Sequence, residues 1–456
     1  MCGIVALSNG DVAHKLYYGL YSLQHRGQDS CGIVSYDAAN SRFRMTKKPG
    51  LVSVVFNKQT LDNLYGNMGV GHVRYPTIGS DFEKDSQPFI HDGVALAHNG
   101  NIANYVEVSK GLDIKPNSTC DSEAVLNLLV QEMKKEGGLF SGVESVMNQL
   151  NGSYSVVALV PNEGLVIFRD PHAIRPLILS KHGAASESVA LDIMGEDVVD
   201  DVKPGECVVI KDGSMERKQL VDKGPRHCMF EWVYFSRPDS TIEKKSVYEV
   251  RLRLGKELAK NWDKEVDVVI PVPDTSRATA LRFARAIDVP YREGLIKNRY
   301  VGRTFIMPEQ GLREAAVRVK LNPIIHEIKG KRVAVVDDSL VRGTTSRKLV
   351  NLVRDAGAKE VHLVIACPPI MWPCFYGIDM TKKAELAAAK YAPEDVEKEL
   401  AKASGADSVT YQTIEGLRNA IGLKGLCAAC LTGDYPTDVS KLLEMQGEKR
   451  PYEVDE

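Results

Sequence analysis

The chain has 456 residues, of which 44% are apolar and 26% are charged, and its formal net charge is -2. This length exceeds what one hydrophobic core of ordinary size can hold, so we expect a soluble globular protein with two large domains. The near-neutral charge excludes a general attraction to nucleic acid or to anionic membranes, and small molecules are the expected partners.

The sequence contains no stretch that approaches the roughly eighteen apolar residues of a membrane span, and its first residues include no basic leader. We therefore expect a cytoplasmic protein. Its nine cysteines are then expected to be reduced, and to be buried, catalytic or metal-binding.

In the first half, residues 2–230, short β-rich runs alternate with glycine-rich turns. The clearest helix is predicted over residues 121–135, where acidic residues precede apolar positions three and four apart. This pattern indicates layered sheets covered by helices, the α+β class.

In the second half, residues 231–456, apolar strands are each followed by a helix, as in RVAVVDD before TTSRKLVNLVRDAG. Such alternation predicts an open parallel α/β sheet. We therefore place a domain boundary near residue 230.

Cys2 follows the initiator methionine, and removal of that methionine would leave the cysteine at the N-terminus. The thiol would then be a nucleophile, and the α-amino group, which titrates about 2.5 units below a lysine, would be its base. The ordinary alternative is a small apolar residue at the start of an edge strand.

Three segments downstream place polar groups after apolar runs: GHVRYPT, AHNGNIAN and CDSE. Amide hydrolysis through a thioester needs a cation for the substrate carboxylate, an anion for its amine and two donors for the oxyanion. Arg74, Asp121, and Asn99 with the backbone N–H of Gly100 meet these needs. Alternatively, Asp121 caps its helix, and Asn99 with Gly100 forms a hairpin turn.

Together with QHRGQDS near the start of the chain, these segments resemble, in the same order, the class II glutamine amidotransferases. Members of that family are N-terminal-nucleophile hydrolases with an αββα sandwich. The roles that the resemblance implies are nucleophile for Cys2, oxyanion hole for Asn99 and Gly100, glutamine binding for Arg74 and Asp121, and support of the glutamine site for Arg26 and His72.

Residues 332–346, RVAVVDDSLVRGTTS, combine a buried strand, an acidic pair, a loop and three hydroxyl residues at the start of a helix. The loop N–H groups and the helix start can bind a monophosphate, while Asp337 and Asp338 suit ribose hydroxyls and Mg²⁺. Neither a P-loop nor a dinucleotide-binding glycine motif occurs, which disfavours ATP and dinucleotides. The alternative is a solvated strand end and a helix cap.

This string resembles the phosphoribosyl pyrophosphate motif of the type I phosphoribosyltransferases. The segment PVPDTSRAT ends the preceding strand at the same sheet edge, where open α/β sheets bind ligands. The implied phosphoribosyl pyrophosphate residues are Asp337, Asp338, Arg342, Gly343, Thr344, Thr345 and Ser346. The implied magnesium ligands are Thr275, Asp337 and Asp338.

Six basic residues lie between the two strand-end motifs. Charge runs are usually solvated faces, but a pyrophosphate leaving group would give these residues a role, and nearby glycines suggest a loop that closes over substrate. The six are Lys297, Arg299, Arg303, Arg313, Arg318 and Lys320.

Four cysteines, Cys228, Cys374, Cys427 and Cys430, include one C-x-x-C pair, and four thiolates are the ligand count of one cubane. A zinc site, a redox dithiol and buried free thiols are alternatives. The remaining thiols, at positions 31, 120, 207 and 367, lack such spacing and are expected to be buried.

Both halves, in this order, resemble a family of enzymes that transfer ammonia from glutamine to phosphoribosyl pyrophosphate at the start of purine biosynthesis. The resemblance implies Mg²⁺, a [4Fe–4S] cluster held by those four cysteines, a homotetramer or homodimer, and feedback inhibition by purine nucleotides. The rival hypotheses are an amidotransferase for another acceptor and a non-catalytic regulator that binds phosphoribosyl pyrophosphate. Such a regulator would not need Cys2 or Arg74 and should present a basic surface.

Overall fold

The computed structural model describes residues 2–8, 10–75, 83–298 and 321–445. Of the six basic residues in the expected closing loop, only Lys297 lies among them. Arg299, Arg303, Arg313, Arg318 and Lys320 lie outside the described residues, so the loop remains a prediction.

Two stacked antiparallel sheets form the first half of the chain. The first has the strand order β11-β9-β10-β1-β4-β2-β3, and the second has the order β13-β12-β8-β7-β6-β5. The strands are β1 (Gly3–Leu7), β2 (Ser30–Asp37), β3 (Arg42–Pro49), β4 (Met68–Arg74), β5 (Phe89–His91), β6 (Val94–Ile102), β7 (Gly152–Val160), β8 (Gly164–Arg169), β9 (Ile178–Ser180), β10 (Gly183–Ala185), β11 (Val198–Asp201), β12 (Glu206–Lys211) and β13 (Ser214–Gln219).

Helices cover the outer face of each sheet. They are α1 (Val12–Ser22), α2 (Val52–Val55), α3 (Lys58–Asp62), α4 (Tyr105–Lys110), α5 (Asp121–Glu136), α6 (Leu139–Gln149) and α7 (Ser188–Met194). Strand β1 shows the layering, since Ile4 packs between the two sheets whereas Val5 packs under α1 and α7. Helices α5 and α6 pack on the other sheet. The expected αββα sandwich is confirmed.

A parallel four-stranded sheet, in the order β17-β20-β21-β22, forms the second half. Helices lie on both of its faces, as the strand-helix alternation predicts. The strands are β14 (His227–Cys228), β15 (Thr241–Ile242), β16 (Lys245–Ser246), β17 (Val268–Pro271), β18 (Leu295–Lys297), β19 (Leu321–Pro323), β20 (Arg332–Asp337), β21 (Glu360–Ile365), β22 (Ser408–Tyr411) and β23 (Leu426–Cys427). The helices are α8 (Val247–Leu258), α9 (Arg277–Ala286), α10 (Ile325–Ile328), α11 (Thr344–Asp355), α12 (Val396–Ser404), α13 (Ile414–Ile421), α14 (Ala429–Thr432) and α15 (Ser440–Glu444).

One hydrophobic cluster joins the two halves. Leu20 of α1 and Ile174 belong to the same buried cluster as Trp232, Phe375 and Leu417. Because this cluster is continuous, the two halves pack against each other over a shared core. The boundary placed near residue 230 stays a prediction.

No helix in the described part of the chain is long and apolar enough to cross a membrane.

Candidate active sites

Cys2 lies immediately before β1, where the two sheets of the sandwich approach each other. Its backbone nitrogen donates a hydrogen bond to Asn99 Oδ1 at 3.2 Å. Its Sγ lies 3.7 Å from the carbonyl oxygen of Tyr75, just after β4. The nitrogen that would become the α-amine after removal of Met1 is therefore held against the side chain of Asn99.

Asn99 and Gly100 lie within β6, where they pair with Ser155 and Tyr154 of β7. The alternative interpretation of these two residues as a hairpin turn is therefore wrong. A Cβ at position 100 would lie 1.9 Å from the carbonyl oxygen of Ser153, so the close approach of β7 requires glycine. The Nδ2 group of Asn99 is buried and has no hydrogen-bond partner among the described residues, which leaves a donor for an oxyanion.

The two residues that are expected to bind glutamine are both buried. Arg74, at the end of β4, is 2% exposed, and its guanidinium lies 3.5 Å from Asp85 Oδ2. Asp121 is the first residue of α5, and its Oδ2 accepts the backbone N–H of Ile102 at 3.0 Å. The carboxylate thus anchors the end of β6 instead of capping its own helix.

His72 lies on β4, opposite Ile4 of β1, and is fully buried. Neither ring nitrogen has a hydrogen-bond partner within the described ranges. Burial, followed by the positive charge of Arg74, lowers the pKa of His72 well below its ordinary value. The imidazole is therefore neutral at physiological pH, and its expected support of the glutamine site stays a prediction.

Arg26 is the centre of a buried ionic network that spans both halves of the chain. It donates to Glu187 through Nε and to Glu231 Oε2 at 2.6 Å, and Arg175 lies 3.3 Å from Glu231 Oε1. Burial alone would raise the pKa of the Glu231 carboxyl, but the charges of Arg26 and Arg175 hold it below its ordinary value. The next residue, Gly27, packs against the backbone of Arg74, so the network lies behind the glutamine site.

We expect Arg26→Met to lower the free energy of unfolding by about 3–5 kcal/mol, because it removes a buried cation that two buried carboxylates, Glu187 and Glu231, share. Urea denaturation measures the change. Arg253→Met, which breaks an exposed pair with Glu249 on α8, is the control and should change the free energy by less than about 0.5 kcal/mol. Equal, small effects of the two substitutions would contradict the ionic role of Arg26.

Asp337 and Asp338 lie at the carboxyl end of β20, beside the end of β17. Burial and the charge of Asp338 raise the pKa of Asp337 well above its ordinary value. Thr275, which follows β17, donates its hydroxyl to Asp338 Oδ2. The three expected magnesium ligands therefore meet at one sheet edge, and two crowded carboxylates with a hydroxyl suit a hard cation.

The expected phosphate loop precedes α11, which begins at Thr344. Gly343 has φ +77°, a left-handed conformation that glycine adopts without strain, and Thr344, Thr345 and Ser346 form the first turn of the helix. The backbone N–H groups of this first turn have no partners within the helix and can bind a phosphate.

Asp379, a residue that the sequence did not indicate, lies between the two sites. Its Oδ2 accepts the hydroxyl of Tyr75 at 3.4 Å and lies 3.7 Å from the guanidinium of Arg342. Tyr75 borders the thiol of Cys2, and Arg342 belongs to the phosphate loop. One carboxylate thus touches a residue of each site.

The four cysteines that are expected to bind a cluster lie in or against the buried hydrophobic cluster that joins the two halves. Cys228 pairs with Cys427 in the short parallel ladder of β14 and β23, and Cys430 follows one turn later in α14. The backbone N–H of Tyr376 donates to Cys374 Sγ at 3.4 Å. Burial raises the pKa of the Cys430 thiol well above its ordinary value, as do the neighbouring Cys374, Cys367, Cys228 and Cys427.

The other thiols behave as buried apolar groups, as expected. Burial raises the pKa of Cys31 and of Cys120 to about 12. Cys207 and Cys367 are fully buried. These thiols are therefore protonated at neutral pH.

Within the described ranges, no group of three or more His, Cys, Asp or Glu side chains has an arrangement that would hold a single metal ion. A cubane differs from a single ion because the cluster itself separates its four thiolates. The four cysteines have the donor type and number that one cubane requires, and the cluster itself stays a prediction.

Comparisons with known proteins agree with both halves. A glutamine amidotransferase domain family matches residues 72–192, and a phosphoribosyl transferase domain family matches residues 244–377. Fold and site together define a glutamine amidotransferase joined to a phosphoribosyltransferase.

Full-length relatives define the protein more closely. The chain is 45% identical to the amidophosphoribosyltransferase of Methanocaldococcus jannaschii, over 96% of this chain and 98% of the relative. It is 43% identical to that of Escherichia coli, over 92% and 88% of the two chains. The chain belongs to the amidophosphoribosyltransferase family and is a glutamine-dependent pentosyltransferase.

Solved structures of 38% sequence identity share the whole fold. One is the glutamine phosphoribosylpyrophosphate amidotransferase of B. subtilis complexed with ADP and GMP, with a TM-score of 0.86 over 96% of this chain and 98% of the other. Another is described as the allosteric regulatory enzyme of purine biosynthesis, with a TM-score of 0.87 over 96% and 97% of the chains.

Proposed function

We propose that the chain converts glutamine, phosphoribosyl pyrophosphate and water into 5-phosphoribosylamine, glutamate and pyrophosphate, the first step of purine biosynthesis. The observation that carries this proposal is the contact of Cys2 with Asn99 in the same chain as an acidic pair and a phosphate loop. Neither rival hypothesis calls for both sites.

In the glutaminase half, Cys2 Sγ attacks the side-chain carbonyl of glutamine while the α-amine takes the thiol proton. The Nδ2 of Asn99 and the N–H of Gly100 stabilise the oxyanion, and each such donor is typically worth about 100- to 1000-fold in rate. The α-amine then returns this proton to the amide nitrogen of the substrate, and that nitrogen leaves as ammonia. Water then hydrolyses the thioester to glutamate.

Arg74 and Asp121 orient the substrate in this half. The guanidinium binds the α-carboxylate of glutamine, and the carboxylate binds its α-amino group. Asp121 also holds the backbone of Ile102, so the residue that recognises the substrate fixes the strand that carries Asn99. Glutamine is thereby placed against Cys2 in one orientation.

In the transferase half, the first turn of α11 with Thr344, Thr345 and Ser346 binds the 5′-phosphate. Asp337 and Asp338 bind the ribose hydroxyls. Mg²⁺, when bound by the acidic pair and Thr275, would neutralise charge on the pyrophosphate. Ammonia attacks C1 of the ribose, and pyrophosphate leaves from the same carbon.

The proposal is tested by the stoichiometry of the products. Glutamate and pyrophosphate should form in a ratio close to one if the ammonia from one site is used at the other. A protein that binds phosphoribosyl pyrophosphate without releasing pyrophosphate would instead be the non-catalytic regulator.

We further propose that Cys228, Cys374, Cys427 and Cys430 bind one [4Fe–4S] cluster. Supporting this proposal are the side-by-side placement of Cys228 and Cys427 and the backbone N–H donated to Cys374. Such N–H···S bonds tune cluster thiolates in proteins.

Anaerobically purified protein should be brown and contain about four irons per chain, since four thiolates ligate one cubane. Cys427→Ala should lose most of the iron because it removes one ligand. Cys31→Ala, which deletes a buried thiol of β2, should retain the iron content of the wild type. Iron is counted by a colorimetric assay with zinc measured in parallel, and stoichiometric zinc would contradict the cluster.

We infer the regulation and the assembly of this chain from the same family relation. Because a relative was solved with ADP and GMP, we propose that purine nucleotides inhibit this enzyme. We also propose a cytoplasmic homotetramer or homodimer, whose mass analytical ultracentrifugation determines.

A further inference from the structure

Two backbone carbonyls of the transferase half accept hydrogen bonds from the glutaminase half. Asn101 Nδ2 donates to the carbonyl of Phe375 at 2.9 Å, and Ser153 Oγ donates to the carbonyl of Tyr376 at 2.9 Å. All four residues are buried, with exposed fractions of 5% or less. These contacts join β6 and β7 to residues 375 and 376, more than 200 positions further along the chain.

Asn101 shares a face of β6 with Asn99, because side chains alternate along a strand. Gly100 stands between them and is enclosed on both sides. Ser153 of β7 approaches it so closely that a Cβ would not fit, and a Cβ on Gly377 would lie 3.1 Å from the carbonyl oxygen of Gly100. The strand that carries the candidate oxyanion hole is thus held between β7 and residues 375–377.

We propose that Asn101 is a positioning residue for glutamine hydrolysis. Its hydrogen bond to Phe375 fixes β6 so that Asn99 Nδ2 and the N–H of Gly100 face the oxyanion that forms on Cys2. Asn101 acts through these two groups and does not touch the substrate. The inference rests on the proposed oxyanion role of Asn99 and Gly100.

The size of the effect follows from the geometry that an oxyanion hole requires. Its donors must lie within hydrogen-bond distance of the position that the oxyanion will occupy, and a displacement of about 1 Å can cost about 100-fold in rate. The bound glutamine is held by other residues. Loss of the Asn101 contact should therefore lower kcat and leave KM nearly unchanged.

Asn101→Leu removes the donor and keeps the branched shape of the side chain. We expect kcat for glutamine-dependent synthesis to fall by about 10- to 100-fold, with KM for glutamine and the ammonia-dependent rate within about twofold of wild type. Asn104→Leu is the matched control, since Asn104 also bonds a distant carbonyl, that of Gln149, but lies outside the site. It should leave all three quantities unchanged.

A glutamine analogue with an aldehyde in place of the amide gives a second measurement, because its adduct with Cys2 places an oxyanion in the hole. In Asn101→Leu its inhibition constant should rise by the same factor by which kcat falls. Unchanged kcat, a loss carried by KM, or an equal loss of ammonia-dependent synthesis would overturn the proposal. If the wild type itself used neither nitrogen source, the proposed function would fail instead.

Discussion

Replacing Cys2 with alanine is expected to lower glutamine-dependent synthesis of phosphoribosylamine by at least about a thousandfold, because the proposed nucleophile of the glutaminase half is lost. Ammonia-dependent synthesis should stay within about twofold of wild type, since the transferase site keeps its own groups. Pyrophosphate release with each nitrogen source measures both rates.

Cys207→Ala is the control for this substitution. It also deletes a thiol of the glutaminase half, but that thiol lies in β12 of the second sheet and is fully buried. Both rates should be unchanged in this variant. Equal loss of the two activities in Cys2→Ala would contradict the assignment of Cys2 to ammonia release.

Asp338→Asn is expected to give a different pattern, in which synthesis falls by about 100-fold or more with either nitrogen source. The substitution removes a carboxylate that accepts the hydroxyl of Thr275 and lies beside Asp337 at the sheet edge, where we propose that ribose hydroxyls and Mg²⁺ bind. The kinetic measurement is pyrophosphate release with saturating glutamine and, separately, with ammonia.

Asp263→Asn, which changes an exposed carboxylate before β17, is the control and should keep both rates. If Asp338→Asn lowered only the glutamine-dependent rate, the acidic pair would not belong to the transferase site. Cys2→Ala and Asp338→Asn together thus separate the two half-reactions.

The sequence predicted those parts of the sites whose residues are contiguous or follow one strand. Asp337 and the hydroxyls of residues 344–346 come from one string, and α11 begins at Thr344 as the string suggests. A buried strand followed by an amphipathic helix is a local signal, so both elements were predicted from it. The αββα layers were expected chiefly from resemblance, because the strands are too short to specify their partners.

The sequence could not reveal contacts between residues distant in the chain. Arg26 and Glu231 are 205 positions apart, and Asn101 and Phe375 are 274 apart. These pairs have no spacing rule, because the stacking of sheets and the packing of the two halves bring them together.

The local turn signal at Asn99 and Gly100 was misleading for a physical reason. An Asn followed by Gly favours a hairpin when nothing else pairs with it. Here β6 continues through both residues because β7 pairs with it along its length. Glycine is needed at position 100 for the approach of Ser153 and not for a turn.

We propose that one chain joins a glutaminase site to a phosphoribosyl pyrophosphate site. Pyrophosphate release from phosphoribosyl pyrophosphate, measured with the wild-type protein and either glutamine or ammonia, tests it most directly. We predict release with each nitrogen source and none when both are omitted. Release that occurs with ammonia but not with glutamine would contradict this proposal, and so would the absence of release with either nitrogen source.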